Sequence, residues 1–393
     1  MLSPRRYRLG RGSMFRGNIG IGSIFGIPLE INVSWFLTLA LFTVLLGAQV
    51  YPDFVRDQPA WFYWSLAFVS GVFFFASIII HELAHSIVAK RSGIPVRAIT
   101  LFMLGGVSQI TREARRPAVE FVMAVVGPLT SVLLSAIFLG LAFMPGLRDN
   151  RTEVMWEWLF LMNISLAVVN MAPGFPLDGG RVLRSALWGI TGNYRRATQW
   201  ASFVGRAMAY ALMAVGLLAV VQVIDWFDPF SGIWFVLVGL FLDNAARQSW
   251  RQTQMLEELR TRRASSVMQT LLPRVEPDID LLQAMSRFYH PEHGLCAFVV
   301  DPEQDRVVGM VTDAELNQVP RDRWPQVRVG QVMRPVGAVA TASGETDLAS
   351  VLEQMDGTQQ THVPVVEDGR LMGWVSRARI AATPRRAYRT SSA

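Results

Sequence analysis

The chain of 393 residues is 51% hydrophobic and 17% charged, so it is too apolar and too weakly charged for an ordinary soluble domain. Its formal net charge of +6 belongs to the first part of the chain, because residues 1–263 contain 24 Lys and Arg against 15 Asp and Glu, whereas residues 264–393 contain 13 against 16. The sequence has no basic stripe with interleaved aromatic residues, so no nucleic-acid partner is expected, and the single cysteine, Cys296, excludes an intrachain disulfide and a cysteine-based zinc site.

Six apolar stretches are each near the ~20 residues that a membrane-spanning helix needs. They lie at about 31–50, 61–90, 118–144, 154–172, 202–224 and 230–247. The first follows a basic segment without a clear cleavage site, so we expect it to be a retained span. The sequence therefore predicts a mainly α-helical polytopic membrane domain over residues 1–250, with about six transmembrane helices and a small β-hairpin.

The basic residues alternate between the loops. The loops after spans one, three and five have only Arg56, Arg148 and Arg151, whereas the N-terminus and the opposite loops are rich in basic residues: Arg5, Arg6, Arg8, Arg11, Arg16, Lys90, Arg91, Arg97, Arg112, Arg115, Arg116, Arg181, Arg184, Arg195 and Arg196. By the positive-inside rule, the N-terminus and the C-terminal region are expected to be cytoplasmic. The predicted location is a cell membrane, a prokaryotic inner or plasma membrane.

The second span contains the sequence His-Glu-Leu-Ala-His at residues 81–85. On a helix, His81 and His85 share one face, so both imidazoles can bind one ion while Glu82 flanks it, which is the arrangement of a zinc hydrolase. The alternative is two helix histidines hydrogen-bonded to neighbours, which in lipid would also require partners for Glu82. At ~1.5 Å per residue, His85 and His81 would lie ~9 and ~15 Å from the boundary marked by Arg91.

The segment from Gly93 to Gln109 is β-branched and partly alternating, with a glycine pair at Gly105 and Gly106. This pattern predicts a β-hairpin. The spacing favours a plain connector, although the open edge of a hairpin beside the site could also pair with an extended substrate.

A catalytic zinc takes three protein ligands and keeps one position for water. The third ligand is expected inside the membrane domain, which disfavours the histidines at 290, 293 and 362. Asp178 follows a segment, residues 170–177, whose prolines and glycine break the fourth span, and irregular backbone at membrane depth is tolerated where it lines a cavity. We therefore expect one Zn²⁺ per chain on His81, His85 and Asp178; alternatively, Asp178 caps the helix that begins near Gly180.

The predicted reaction is peptide-bond hydrolysis, with Glu82 as the general acid and base. Asn170 is expected to donate a hydrogen bond to the substrate carbonyl or the developing oxyanion. The alternative for Asn170 is a structural amide that satisfies the backbone of the broken helix.

After residue 250 the composition becomes that of a soluble α/β domain, with two similar units of roughly 60 residues. The predicted boundaries are a linker at 251–264, a first unit at 265–320, a second unit at 326–385 and a flexible tail at 386–393.

The membrane half resembles the site-2 protease family of intramembrane zinc metalloproteases. The resemblance rests on HELAH, the glycine pair of LGGVSQ, Pro117 with Glu120, Gly127-Pro128 and, most specifically, NMAPGFPLDGGR. It implies that His81, His85 and Asp178 are zinc ligands, that Glu82 is catalytic and that Asn170 positions the substrate. It also implies a single-pass transmembrane protein as substrate, cleaved within the bilayer in regulated intramembrane proteolysis.

The C-terminal pair resembles tandem cystathionine-β-synthase (CBS) domains, on the sequences VMRP, THVPVV, GMVT and GWVS. This resemblance implies a regulatory module that binds ATP, ADP or AMP, with Thr312, Glu315 and Ser376 as candidate ligand residues, and it favours a homodimer. The usual Thr/Ser-x-x-Asp signature is altered, because the position of its Asp is occupied by Glu315, three residues after Thr312, and by Arg379, three residues after Ser376. A docking module without ligand is the alternative.

Two other classes of protein are compatible with this organisation. A CBS-regulated channel or transporter should distribute charges through several spans, whereas Glu82, His81, His85 and Asp178 form one compact set. An inactive family member with a binding role would not need the complete set of zinc ligands and base.

Overall fold

The structure is a computed structural model that describes residues 17–382 except 104, 111, 145–151, 225, 292–293, 304–305, 359 and 369. The chain divides into two compact units at Arg251 and Gln252. Several residues used in the sequence predictions lie outside the described part: Arg5, Arg6, Arg8, Arg11, Arg16, Arg148, Arg151, His293 and the tail 386–393.

The first unit is mainly helical. Its helices are α1 (Val33–Leu45), α2 (Tyr51–Phe54), α3 (Ala60–Arg91), α4 (Pro117–Ala142), α5 (Glu153–Asn170), α6 (Asp178–Thr191), α7 (Tyr194–Val220) and the larger part of α8 (Pro229–Arg260), which extends past Arg251, with a π-helical turn, Leu46–Val50, between α1 and α2. Within the described residues, five helical stretches are long and apolar enough to cross a membrane: Val33–Phe54, Ala60–Arg91, Pro117–Ala142, Tyr194–Val220 and Pro229–Arg260. The prediction of a polytopic helical domain is confirmed.

One predicted span and one predicted linker differ from the structure. The predicted span 154–172 forms α5, which is not among the five stretches; its 18 residues extend only ~27 Å, and Glu153 and Glu157 interrupt its apolar character. The predicted linker 251–264 is helical as far as Arg260, because α8 continues past the apolar run. Ion pairs spaced three and four residues apart, Arg260–Glu257 and Arg262–Glu258, stabilise this polar turn.

The predicted hairpin is confirmed as part of a larger sheet. Strands β1 (Asn18–Ile24), β2 (Ile27–Asn32), β3 (Val96–Phe102) and β4 (Gly105–Ile110) lie side by side in that order. β1 and β2 are antiparallel, β2 and β3 parallel, and β3 and β4 antiparallel. β4 is an edge strand, since β3 is its only neighbour among the described strands.

The second unit contains two repeats, as predicted. Its strands are β5 (Arg274–Val275), β6 (Tyr289–His290), β7 (Gly294–Asp301), β8 (Arg306–Thr312), β9 (Arg334–Pro335), β10 (His362–Glu367) and β11 (Arg370–Ser376), and its helices are α9 (Leu281–Phe288), α10 (Asp313–Leu316), α11 (Val329–Val332), α12 (Leu348–Thr358) and α13 (Arg377–Ala382). Each repeat buries its own apolar cluster, one around Leu281 and Val299 and the other around Leu348 and Val363.

Candidate metal centre

Three side chains from two helices meet inside the first unit. His81 and His85 lie one turn apart on the buried face of α3, and Asp178 is the first residue of α6. Nε2 of His81 and Nε2 of His85 lie 3.2 and 3.1 Å from Oδ2 of Asp178, and the two Nε2 atoms lie 3.1 Å apart. The three atoms form a nearly equilateral triangle with one corner from each residue.

The triangle has the dimensions of a zinc site. Ligand atoms at about 2.0–2.1 Å from a tetrahedral ion lie about 3.3–3.4 Å apart, close to the 3.1–3.2 Å observed. Two imidazoles and a carboxylate are a donor set that zinc accepts, and three protein ligands leave the fourth position for water. Among the described residues, His81, His85 and Asp178 are the His, Cys, Asp or Glu side chains that come close enough together to hold a metal ion.

Helix α4 fixes both imidazoles from behind. Nδ1 of His81 lies 2.9 Å from Oγ of Ser131, and Nδ1 of His85 is hydrogen-bonded to the carbonyl oxygen of Met123. A carbonyl only accepts, so His85 must carry its proton on Nδ1 and present the lone pair of Nε2. Outer hydrogen bonds of this kind orient metal-binding histidines and select their tautomer.

Gly127 allows α4 to approach these rings. It lies between Met123 and Ser131 on the same face of α4, and a Cβ at this position would fall 2.7 Å from Nε2 of His81 and even closer to the ring of His85. Only a residue without a side chain fits here, which explains the glycine in the Gly127-Pro128 pair.

Asp178 is held by close backbone contacts. The segment 171–177 leads to α6, and glycines permit its packing: a Cβ on Gly174 would collide with the backbone of Gly205 in α7, and one on Gly180 with the backbone of Gly174. The N-cap of α6 is Leu177, and the Asp178 carboxylate points to the histidines with Arg181 3.9 Å from Oδ1. The alternative in which Asp178 caps a helix starting near Gly180 is therefore wrong.

A buried ion pair joins α4 to α6. Arg184 donates to Oε1 of Glu120 from Nε at 2.6 Å and also from Nη2. The guanidinium lies over the rings of Phe175 and Tyr194, at 4.8 and 4.7 Å from their centroids. The side chains of His81 and His85 on α3 are hydrogen-bonded to α4, and α6 begins with Asp178. The ion pair therefore connects the helix that orients the two histidines to the helix that carries the aspartate.

Glu82 lies on the side of α3 that faces β4. Oγ of Ser108 lies 2.6 Å from Oε2 of Glu82, and Ser86 donates to the same hydroxyl at 3.1 Å. Gly106, two residues earlier on the same face of β4, lies so close to Glu82 that an added Cβ would be 2.8 Å from its Cγ. The hairpin is thus packed directly on the residue expected to act as the base.

The remaining candidates lie apart from this cluster. Asn170 is the half-buried last residue of α5, just before the segment 171–177. In the second unit, Thr312 and Glu315 form a buried capping box on α10, with Glu315 also paired to Arg334 at 2.9 Å, while Oγ of Ser376 accepts from the backbone N–H of Arg379. These three side chains are occupied by internal hydrogen bonds.

A cavity of about 560 Å³ lies between the two repeats instead. Its lining combines Arg274, Arg306 and Arg370 with apolar side chains that include Phe298 and Val339. None of Thr312, Glu315 and Ser376 is among the lining residues, so the candidate ligand residues predicted from the sequence do not line this cavity.

Sequence reasoning also missed the supporting residues Ser108 and Ser131. A signal for Ser131 existed, since it follows Gly127 by four residues and shares its helical face. For Ser108 the signal was its two-residue spacing from Gly106, which places both side-chain positions on one face of a strand.

Comparisons with known proteins show what this chain is similar to. The profile of peptidase family M50 matches residues 70–149 and 146–212, and that of the CBS domain matches residues 264–321 and 329–384. Two relatives bear the name "Putative zinc metalloprotease": sll0528 of Synechocystis is 30% identical over 94% of this chain and 96% of its own, and Rip3 of Mycobacterium tuberculosis is 33% identical over 86% of each. The solved Site-2 Protease from Methanocaldococcus jannaschii aligns with 26% identity over 59% of this chain and 95% of that chain, with a TM-score of 0.41.

Proposed function

The chain belongs to peptidase family M50, the site-2 protease family, with a tandem CBS pair, and we propose that it is an active intramembrane zinc endopeptidase. The observation that carries the proposal is the convergence of His81, His85 and Asp178 at 3.1–3.2 Å beside Glu82. Family membership, together with the five membrane-capable helices found among the described residues, makes it a multi-pass membrane protein.

His81, His85 and Asp178 would hold the ion. Zinc, when bound, supplies a Lewis acid that activates water and polarises a peptide carbonyl. Glu82 accepts the proton of the attacking water and passes it to the leaving nitrogen as the C–N bond breaks. Because Ser108 holds Oε2, we assign proton transfer to Oε1 of Glu82.

The substrate we propose is a transmembrane segment of a single-pass protein. An α-helix cannot present its carbonyls to a metal centre, because its backbone hydrogen bonds enclose them, so the segment must become extended near the cut. The edge strand β4 lies next to Glu82 and offers backbone groups for an added strand. Asn170, next to the segment that carries Asp178, is assigned to the substrate carbonyl.

The first test is the zinc content of the detergent-purified full chain, wild type beside Asp178→Ala. We expect about one zinc per chain in the wild type, since three ligands complete a catalytic shell, and a clear loss in the variant. A well-folded wild type without zinc would overturn the proposal and favour an inactive family member. Cleavage of a reconstituted single-pass substrate by the wild type, abolished in the variant, completes the test.

For the CBS pair we propose regulation by an adenine nucleotide in the cavity between the repeats. Arg274, Arg306 and Arg370 supply positive charge for the phosphates, and Phe298 with Val339 provides an apolar wall for the base. The basic loops and the basic excess of the membrane half support a cytoplasmic location for this unit, where such nucleotides are available.

The test is a thermal-shift titration of the full chain with ATP, ADP and AMP. Ligand binding to the folded state raises the unfolding temperature in proportion to the logarithm of ligand concentration over Kd. We expect Arg370→Gln to weaken the shift and Arg323→Gln, an exposed position outside the cavity, to leave it unchanged. A wild type unaffected by all three nucleotides would refute nucleotide binding and leave the docking role.

A further inference from the structure

Two arginines share one aspartate on the surface formed by α7 and α8. Nε of Arg206 lies 3.1 Å from Oδ1 of Asp243, and Nε of Arg247 lies 2.8 Å from Oδ2 of the same carboxylate. Nη2 of each arginine donates to the hydroxyl of Tyr210 at 3.0 Å. We call these four residues the arginine pair site.

The site has one positive charge more than its aspartate neutralises. Asp243 is buried, whereas the side chains of Arg206 and Arg247 are 40% and 45% exposed, and the tyrosine hydroxyl is uncharged. A guanidinium has five N–H donors, and two of each are used within the site, so donors remain for an external acceptor.

The packing of α7 on α8 determines the depth of the site. Gly216 meets Gly232, and Gly239 meets the carbonyl oxygen of Ala209, so the two helices run antiparallel in close contact. Residues 207–220 of α7 and 229–242 of α8 have no charged side chain. Arg206 and Asp243 are the charged residues at the same end of both runs, so the site lies at a boundary of the hydrocarbon core.

The surface beside the arginines is apolar and exposed. Phe203 lies one turn before Arg206 on α7 and is 60% exposed, and Leu240, one turn before Asp243 on α8, is 53% exposed. A ligand at this place meets cationic donors at the boundary and an apolar surface next to them.

We propose that the arginine pair site binds the phosphate of an anionic phospholipid, with the acyl chains on the exposed surface of α7 and α8. Arginine forks match the oxygen geometry of a phosphate, and basic clusters between membrane helices attract anionic headgroups. A zwitterionic lipid carries a compensating cation on its headgroup, so an anionic lipid such as phosphatidylglycerol matches the unpaired charge better. The proposal does not depend on protease activity.

The test is native mass spectrometry of the full chain in a neutral detergent, titrated with phosphatidylglycerol or phosphatidylcholine. We expect a first phosphatidylglycerol to bind more tightly than phosphatidylcholine, and Arg247→Gln to weaken it about fivefold, as expected for one arginine near an anionic headgroup. This variant keeps the Arg206–Asp243 pair, and its helical circular dichroism and melting temperature report whether it is folded. Arg56→Gln, an equal loss of charge at an exposed loop position, is the matched control.

Three outcomes would overturn the proposal. Equal binding of the two lipids would remove the headgroup preference. An equal effect of Arg56→Gln and Arg247→Gln would show that only the overall charge matters. Competition by inorganic phosphate as effective as by phosphatidylglycerol would assign the site to a free anion rather than to a lipid.

Discussion

The hydroxyl of Ser108 lies 2.6 Å from Oε2 of Glu82, which connects the edge strand of the sheet to the residue that we assign as proton carrier. Ser86, one turn after Glu82 on α3, donates to Ser108, whose hydroxyl also lies 3.1 Å from the backbone carbonyl oxygen of Glu82. The carboxylate is therefore hydrogen-bonded to the same strand that we propose as the docking edge for the substrate.

Ser108→Ala is expected to lower kcat about tenfold, because one hydrogen bond to a charged group is lost. KM and zinc content should stay at wild-type values, since neither the β4 backbone nor the metal ligands change. Ser108→Thr, which keeps the hydroxyl, should recover most of the rate. Gln109→Ala is the control, because the Gln109 side chain points to the opposite face of the sheet from Ser108 and donates to the hydroxyl of Thr100 in β3. A parallel loss of zinc would contradict the orienting role.

Glu82→Gln should abolish cleavage while zinc stays bound. The amide keeps the size of the side chain but cannot accept the proton of water, and Glu82 is not part of the ligand triangle. Zinc content and cleavage of a reconstituted substrate, measured on the same preparation, check this. Retained turnover would sink the assignment of Glu82.

Gly127→Ala is expected to remove zinc without unfolding the chain. The new Cβ would fall 2.7 Å from Nε2 of His81, so the imidazoles must move away from Asp178. Gly140→Ala on the same helix is a matched control, because its Cβ would meet nothing within 4 Å. Metal analysis of both variants should show a loss only in the first; equal zinc in the two would mean that the rings can shift without cost.

Removing one partner of the Glu120–Arg184 pair should destabilise the first unit by about 3–5 kcal/mol, because the other charge stays buried and unpaired. Glu120→Ala is therefore expected to lower the melting temperature measured by circular dichroism in detergent. Glu257→Ala, which breaks an exposed pair on α8, should cost at most about 1 kcal/mol. Similar effects of the two changes would argue against a structural role of the buried pair.

Cys296 is expected to resist alkylation in the folded chain. Burial raises the pKa of its thiol far above the ordinary value, so the reactive thiolate is scarce at pH 8. The pKa of the Cys296 thiol is higher in the folded chain than in the unfolded chain, where it is about 8.5. The contribution of this thiol to the free energy of unfolding is therefore complete below about pH 8.5 and decreases as the pH rises above it. Mass spectrometry should detect labelling only when denaturant unfolds the second unit; rapid labelling without denaturant would contradict this.

The metal triad could be predicted from the sequence because its information is local. The histidine spacing places two ligands on one helical face, and the prolines and glycines before Asp178 mark irregular backbone at depth. The contact of Ser108 with Glu82 depends instead on how a strand packs on a helix. β1 and β2 were missed because β2 pairs with β3, far away in sequence, and a glycine-rich strand has weak alternation.

The CBS ligand residues illustrate a competing local interpretation. Thr312 followed three residues later by Glu315 is also the signature of a capping box, and that is what the structure contains. With Glu315 paired to Arg334, both side chains are held at the start of α10, which is why the nucleotide site proposed above rests on the residues that line the cavity.

The contacts between β4 and α3 recur with similar spacings along the strand and along the helix. Successive contacts advance by two residues on the strand and four on the helix, since Gly106 meets Ile78 and Glu82 and Ser108 meets Glu82 and Ser86. Two strand residues advance ~6.6 Å and four helix residues ~6.0 Å, so the two repeats fall out of step by ~0.6 Å at each contact. The contact spacings on the strand and on the helix therefore match over only a few contacts, and Glu82 lies within the stretch where they match. A hairpin several residues longer would place its additional side chains between helical turns, so its short length keeps the strand commensurate with the catalytic helix.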